Sequence, residues 1–193
     1  MASALHAVRK LNYIAVEKKP KRALIIGAGT IGLLLLIVLK HMKIVDEVYI
    51  SDKIPFKLEV ARELGADRVL TPAELSNYNS YFDIVFEAVG GFAIEKTINL
   101  AISALREKGV IVLLGAVEIS PRVRLGIFHV KEGFLIGSFT STYQDYIEAY
   151  NLVNHRSIKL SRLITHRLPL SDAPKAIRIA LSGESIKAML IGE

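Results

Sequence analysis

The chain has 193 residues, 51% of them hydrophobic and 23% charged, with no Cys, five His and a formal net charge of +6. That length buries one full core. The missing Cys excludes disulfides, thiolate zinc sites and Cys nucleophiles, and His6, His41, His129, His155 and His166 share no ligand spacing, so no metal site is expected. Basic residues are spread along the chain instead of interleaving with aromatics as in nucleic-acid readers, so the charge reads as a solvated surface; its densest run, KKPKR at 18–22, falls at a predicted loop.

In chain order, an N-terminal helix and linker occupy residues 1–20. Short runs rich in Val and Ile then alternate with segments of helical period, the pattern of βαβ units and a parallel sheet. Residues 23–26 (ALII) form the first strand and 29–42 a helix apolar nearly all round. A strand at 47–51 (EVYIS) precedes a helix at 55–64 with Pro55 at its start and Gly65 past its end. Strands follow at 68–70 and 83–87 (DIVFE), a helix at 94–105, and a strand at 109–114 (GVIVLL). Further strands are predicted at 122–127 and 134–138, a helix at 143–154, and a strand-helix-strand tail over 163–191.

The apolar run 23–39 contains only Thr30 as a polar side chain, yet its 17 residues fall short of the roughly 20 a spanning helix needs. No small-residue cleavage site follows it, so a signal peptide is a poor fit and a soluble cytoplasmic chain is expected. The run contains Gly27-Ala28-Gly29-Thr30-Ile31-Gly32, a G-x-G-x-x-G directly after a strand and opening a helix. Gly27 allows the tight turn, Gly29 has no Cβ to hold a pyrophosphate away, and Gly32 lets helix and strand approach. The free N–H groups of the helix's first turn and the positive end of its dipole then face the phosphates. Asp52 closes the second strand twenty residues past Gly32, where a carboxylate takes both hydroxyls of an adenosine ribose and repels a 2′-phosphate, favouring NAD over NADP. The competing role for Asp52 is a cap on the helix near Pro55.

Together, ALHAVRK (4–10), IIGAGTIGLL, SDKIPFKLEVARELGAD (51–67), FDIVFEAVGG (82–91), GVIVLLG (109–115), LITHRLPLSDAPKAI (163–177) and SIKAMLI (185–191) resemble the coenzyme-binding half of the medium-chain, zinc-type alcohol dehydrogenases, closest in flavour to the polyol, threonine and secondary-alcohol branch. The resemblance implies a doubly wound Rossmann α/β fold in three αβα layers over 21–162, with a tail at 163–193 that in the family returns to the catalytic domain. It implies that Gly27, Gly29 and Thr30 line the pyrophosphate, with Ile31 behind the nicotinamide. Asp52 would hold the adenosine ribose with Lys57 beside it. Ala88, Val89 and Gly90 would lie along the cofactor, Leu114, Gly115 and Ala116 would meet the carboxamide, and Lys187 would approach the pyrophosphate.

In that family the catalytic zinc and most of the substrate pocket belong to an N-terminal β-rich domain, whose ligands have no counterpart in these residues. The expectation is an excised domain, a split-gene product whose partner supplies the zinc half, or a stand-alone module. The leading function is NAD(H) binding for hydride transfer between nicotinamide and an alcohol or ketone, incomplete in this chain alone. A non-enzymatic NAD-responsive binding module and a zinc-free quinone-reductase-like protein are the alternatives. A homodimer through the edge around 133–138 (GFLIGS) is also implied, against an internal strand as the other reading.

Overall fold

A computed structural model describes residues 1–14, 20–154, 158 and 160–192. Lys18 and Lys19 of the basic run, and His155, lie outside the described residues. Six strands, β1 (Arg22–Ile26), β2 (Glu47–Ser51), β3 (Arg68–Leu70), β4 (Phe82–Glu87), β5 (Leu105–Leu113) and β6 (Phe134–Gly137), form one parallel sheet in the order β3-β2-β1-β4-β5-β6. Consecutive numbering runs outward on both sides of β1 and β4, so the direction of winding reverses between them. In open α/β sheets that reversal leaves a crevice at the carboxyl ends of the two central strands.

β1 shows why the sequence adopts this arrangement. Ala23 and Ile25 face one core and Leu24 and Ile26 the other, all four buried, so the strand reads as a continuous apolar run. The first core is closed by α1 (Ala2–Arg9), α2 (Thr30–Met42), α3 (Pro55–Glu63) and α7 (Tyr143–Asn154). The second is closed by α4 (Pro72–Leu75) and α5 (Ile94–Ala104). Every residue of α2 from Gly32 to Leu39 is buried, which accounts for the apolar run at 23–39, and no described helix is long and apolar enough to cross a membrane.

α1 is held to α7 by polar contacts. The buried Asp145 carboxylate accepts from Arg9 Nη1 at 2.9 Å and from the Thr142 amide and hydroxyl at 2.7 Å each, and His6 Nδ1 lies 2.8 Å from it. At the far end of α5, Lys131 sends its ammonium to the carbonyls of Ile102, Ser103 and Leu105, taking up acceptors that the helix terminus leaves free.

The strand expected at 122–127 does not form: the described chain there is irregular until α6 (Leu125–Val130). Its amides are spent on side chains of the neighbouring helix, Arg122 N on Glu95 Oε2 (3.1 Å) and Arg124 N on Asn99 Oδ1 (2.9 Å), and Pro121 has no amide to give. β5 also begins at Leu105, earlier than expected, with a register shift opposite Phe82 and Ile84. The tail folds as β7 (Ile164–Pro169), α8 (Ala173–Ser182) and β8 (Lys187–Ile191), with β7 and β8 paired in a separate two-stranded parallel sheet.

Candidate functional site

The crevice between β1 and β4 is lined by the turns that leave three strands. Gly27 follows β1 with φ +105°, a left-handed conformation that side chains disfavour, and a Cβ there would stand 2.8 Å from Val89 Cγ2 in the turn after β4. A Cβ on Gly32 would collide with the Gly27 carbonyl, so the start of α2 can approach the turn only as glycine. Gly29 differs: its backbone is ordinary (φ −75°, ψ −172°) and a Cβ would meet nothing within 4 Å. Open space therefore lies over Gly29, one of the two glycines expected to line a pyrophosphate. The first intrahelical bond of α2 runs from Leu33 N to Gly29 O at 3.0 Å, so the amides of Thr30, Ile31 and Gly32 precede the helical ladder and border that space.

Asp52 stands one residue past β2. Its Oδ2 accepts the Ala28 amide at 2.7 Å and its Oδ1 the Ile54 amide at 2.9 Å. Ile54 is itself the residue preceding the helix, and no side chain caps α3. The carboxylate is thus oriented by the glycine turn on one side and the α3 approach on the other, with lone pairs to spare on both oxygens. Lys57, in the first turn of α3, is nearly buried, and its ammonium lies 5.9 Å from the centroid of the Phe56 ring.

The turns after β4 and β5 are packed against each other. Gly90 (φ +65°) could carry no Cβ, because one would lie 2.5 Å from Ala116 N, and Gly91 N donates to Ala116 O at 2.7 Å. Val89 is 45% exposed, so an apolar side chain faces the crevice. Beneath both turns the Glu87 side chain is fully buried, with Oε1 accepting from Val89 N, Gly90 N and the Thr97 hydroxyl. Leu114 and Gly115 donate their amides to the Glu87 carbonyl at 2.9 and 3.0 Å.

Thr30 Oγ1 donates to Ile186 O at 2.6 Å, which ties the tail to the glycine turn and brings the exposed Lys187 next to it in sequence. Of the fourteen expected residues, Gly27, Gly29, Thr30, Ile31 and Gly32 form one turn. Ala88, Val89 and Gly90 adjoin it, and Leu114, Gly115 and Ala116 adjoin those. Asp52 joins the turn through Ala28, and Lys187 through Ile186. Lys57 stands in the first turn of α3, with its ammonium beside the Phe56 ring. Glu87 and Thr97 were not legible as site residues. The only signal is an acid that follows Ile84, Val85 and Phe86 at the strand's end, three residues before a Gly-Gly pair.

Comparison with known proteins agrees with this geometry. The chain matches the family described as glucose dehydrogenase C-terminus over residues 2–190. It is 30% identical to D-xylulose reductase of Saccharomyces cerevisiae, covering 91% of this chain and 51% of that protein, and 27% identical to sorbitol dehydrogenase 1 of the same organism, covering 94% and 54%. Among solved structures it is similar to L-idonate 5-dehydrogenase from Escherichia coli (TM-score 0.83, 26% identity, 98% of this chain and 54% of that one). It is also similar to S. aureus TarJ in complex with NADPH (TM-score 0.87, 26% identity, 100% and 61%). The chain spans about half the length of the curated relatives it matches. By sequence and by fold, it belongs to the glucose dehydrogenase C-terminus family, the nucleotide-binding portion of polyol and alcohol dehydrogenases.

Proposed function

We propose that this chain binds NAD(H) in the crevice between β1 and β4 and presents it for hydride transfer to or from the carbon of an alcohol or ketone, as the coenzyme-binding part of a polyol or alcohol dehydrogenase. One arrangement supports this above all: a carboxylate, Asp52, locked by the Ala28 amide beside the open space over Gly29. When bound, the nicotinamide supplies or accepts the hydride.

The chain's own residues divide the binding between them. The amides that open α2, with Gly27, Gly29 and Thr30, face the pyrophosphate, where the helix dipole also favours negative charge. The Thr30 hydroxyl is committed to Ile186, so the threonine contributes its amide there, and Lys187 adds a cation from the same side. Ile31 backs the nicotinamide. Asp52 takes the ribose hydroxyls with Lys57 beside it, and Ala88, Val89, Leu114, Gly115 and Ala116 flank the nicotinamide and its carboxamide. The half-buried, hydrogen-bonded Asp52 favours NAD, because a 2′-phosphate would bring like charge against it.

Among the described residues no group of three or more His, Cys, Asp or Glu could hold a metal ion. The zinc of the family is therefore assigned to its catalytic half, contributed by another segment or another chain. The exposed Leu170, Ile177 and Leu181 of the tail suit contact with such a half. Self-association is assigned to β6, which borders the sheet and exposes Phe134 and Leu135.

Calorimetry of the purified chain with NAD and NADP tests the core of the proposal. NAD is expected to bind more tightly by about tenfold or more, the equivalent of about 1.4 kcal/mol. Equal affinities would remove the ribose role of Asp52, and binding of neither would remove the dinucleotide site.

A further inference from the structure

Among the described residues, one buried side-chain oxygen has no hydrogen-bond partner: Glu87 Oε2. Buried polar atoms are nearly always paired, so an orphan in a strand where Glu87 follows Val85 and Phe86 and stands between Ile26 and Leu113 calls for a reason. An apolar residue would fill the same place without that cost. What it would lose is the other oxygen. Glu87 Oε1 gathers the amides of Val89 (3.1 Å) and Gly90 (3.2 Å) and the hydroxyl of Thr97 (2.7 Å), so it fixes the turn after β4 to the first turns of α5. The Glu87 carbonyl gathers Leu114 and Gly115, fixing the turn after β5. The orphan oxygen lies directly beneath Gly115, where a Cβ would collide with it. One residue thus supports both walls of the crevice on the nicotinamide side, and its side-chain hydrogen bonds go to Val89, Gly90 and Thr97 instead of to the glycine turn or Asp52.

We propose that Glu87 is a positioning residue for the nicotinamide half of the site: it holds Val89 and Gly90 against Gly115 and Ala116 so that the two turns present a fixed surface to the ring and its carboxamide. The proposal rests on the dinucleotide reading above. It predicts an asymmetry that a purely structural role does not. Loss of the Glu87 side chain frees the two turns and weakens ligands that carry nicotinamide, while ligands that end at the second ribose keep their contacts at the glycine turn and Asp52.

The test compares NADH with ADP-ribose on the intact chain by calorimetry, in wild type, Glu87→Ala and Glu87→Gln. Wild type is expected to bind both. With the bonds to Val89, Gly90 and Thr97 removed, Glu87→Ala is expected to bind NADH about tenfold or more weakly while ADP-ribose changes by no more than about twofold. Glu87→Gln keeps one acceptor oxygen and should recover most of the NADH affinity. Should Glu87→Ala fail to fold, Thr97→Val removes one of the three donors and is expected to weaken NADH about threefold with ADP-ribose unchanged. Equal losses for the two ligands, or no loss for either, would overturn the positioning role and leave the dinucleotide site standing. A wild type that binds neither ligand would overturn both.

Discussion

Asp52 and Ala28 stand 24 residues apart, and the carboxylate of one accepts the amide of the other at 2.7 Å. The bond joins the end of β2 to the glycine turn after β1 and aims Asp52 before any ligand is present. Preorganisation of this kind lowers the ordering cost of binding. Asp52→Ala is expected to weaken NAD by about 1–3 kcal/mol, the range for losing hydrogen bonds to a charged group, and to narrow the preference over NADP. Asp52→Asn keeps a single oxygen for two main-chain donors, so its amide must face either Ala28 or Ile54 and only part of the affinity returns. Calorimetry with both nucleotides reads the two effects separately, and an unchanged NAD-to-NADP ratio in Asp52→Ala would remove the ribose assignment.

The glycines of the turn make opposite predictions. Gly32→Ala puts a methyl group into the Gly27 carbonyl and must push α2 off β1, so thermal unfolding should shift down by several degrees, in line with about 1–3 kcal/mol for overpacking. Gly29→Ala meets open space with an ordinary backbone, so its melting temperature should change little. Its NAD affinity is nonetheless expected to fall about tenfold, because the methyl group occupies the space the pyrophosphate needs. A Gly29→Ala variant that binds NAD as wild type does would place the phosphates elsewhere.

Much of this was legible in the sequence because its signals are local. The change from period 2 to period 3.6, Pro55 at a helix start and three glycines behind a strand each fix structure within a few residues. Residues 122–127 were not legible for the converse reason: their amides bond Glu95 and Asn99, more than twenty residues back, and an apolar alternation carries no trace of that. Asp52 was half legible. Its spacing from Gly32 placed an acid at the end of the second strand, beside the glycine turn, but the bond to Ala28 appears only once β1 and β2 lie side by side. Glu87 was not, since its three donors come together only when the turn after β4 meets α5.

Acid should loosen the N-terminal helix. Burial alone would push the Asp145 carboxyl up, but the Thr142 hydroxyl and amide and the His6 ring outweigh it and hold the group below the usual carboxylate range. A carboxyl depressed in the folded state stabilises the fold above its unfolded value, about 3.9, and that contribution disappears as pH falls through the folded value. Denaturant midpoints should therefore drop as pH is lowered from about 4, and Asp145→Asn should be less stable at neutral pH by about 2–3 kcal/mol while showing a shallower acid slope. Some slope remains, because Asp67, held by the Val48 amide and Lys40, is depressed as well. If wild type and Asp145→Asn lose stability in parallel on acidification, Asp145 does not carry the effect.

The exposed edge of the sheet makes the last prediction. β6 lies at the border of the six-stranded sheet, and its Phe134 and Leu135 are 44% and 49% exposed, with Phe139 at 86% just beyond. An uncharged apolar edge with free main-chain donors and acceptors is a template for pairing, and no lysine or proline within the strand blunts it. If two copies pair there, their sheets join across a twofold axis and each β6 becomes internal. Sedimentation velocity should then report a dimer for wild type and a monomer for Leu135→Lys, because the new ammonium groups would face each other near the axis where the apolar side chains had met. The crevice lies between β1 and β4, with β5 standing between it and the edge strand, so NAD affinity should be the same in the monomeric variant. A Leu135→Lys protein that remains dimeric would move the interface elsewhere. One that turns monomeric and loses NAD as well would mean that the edge and the crevice are coupled through β5.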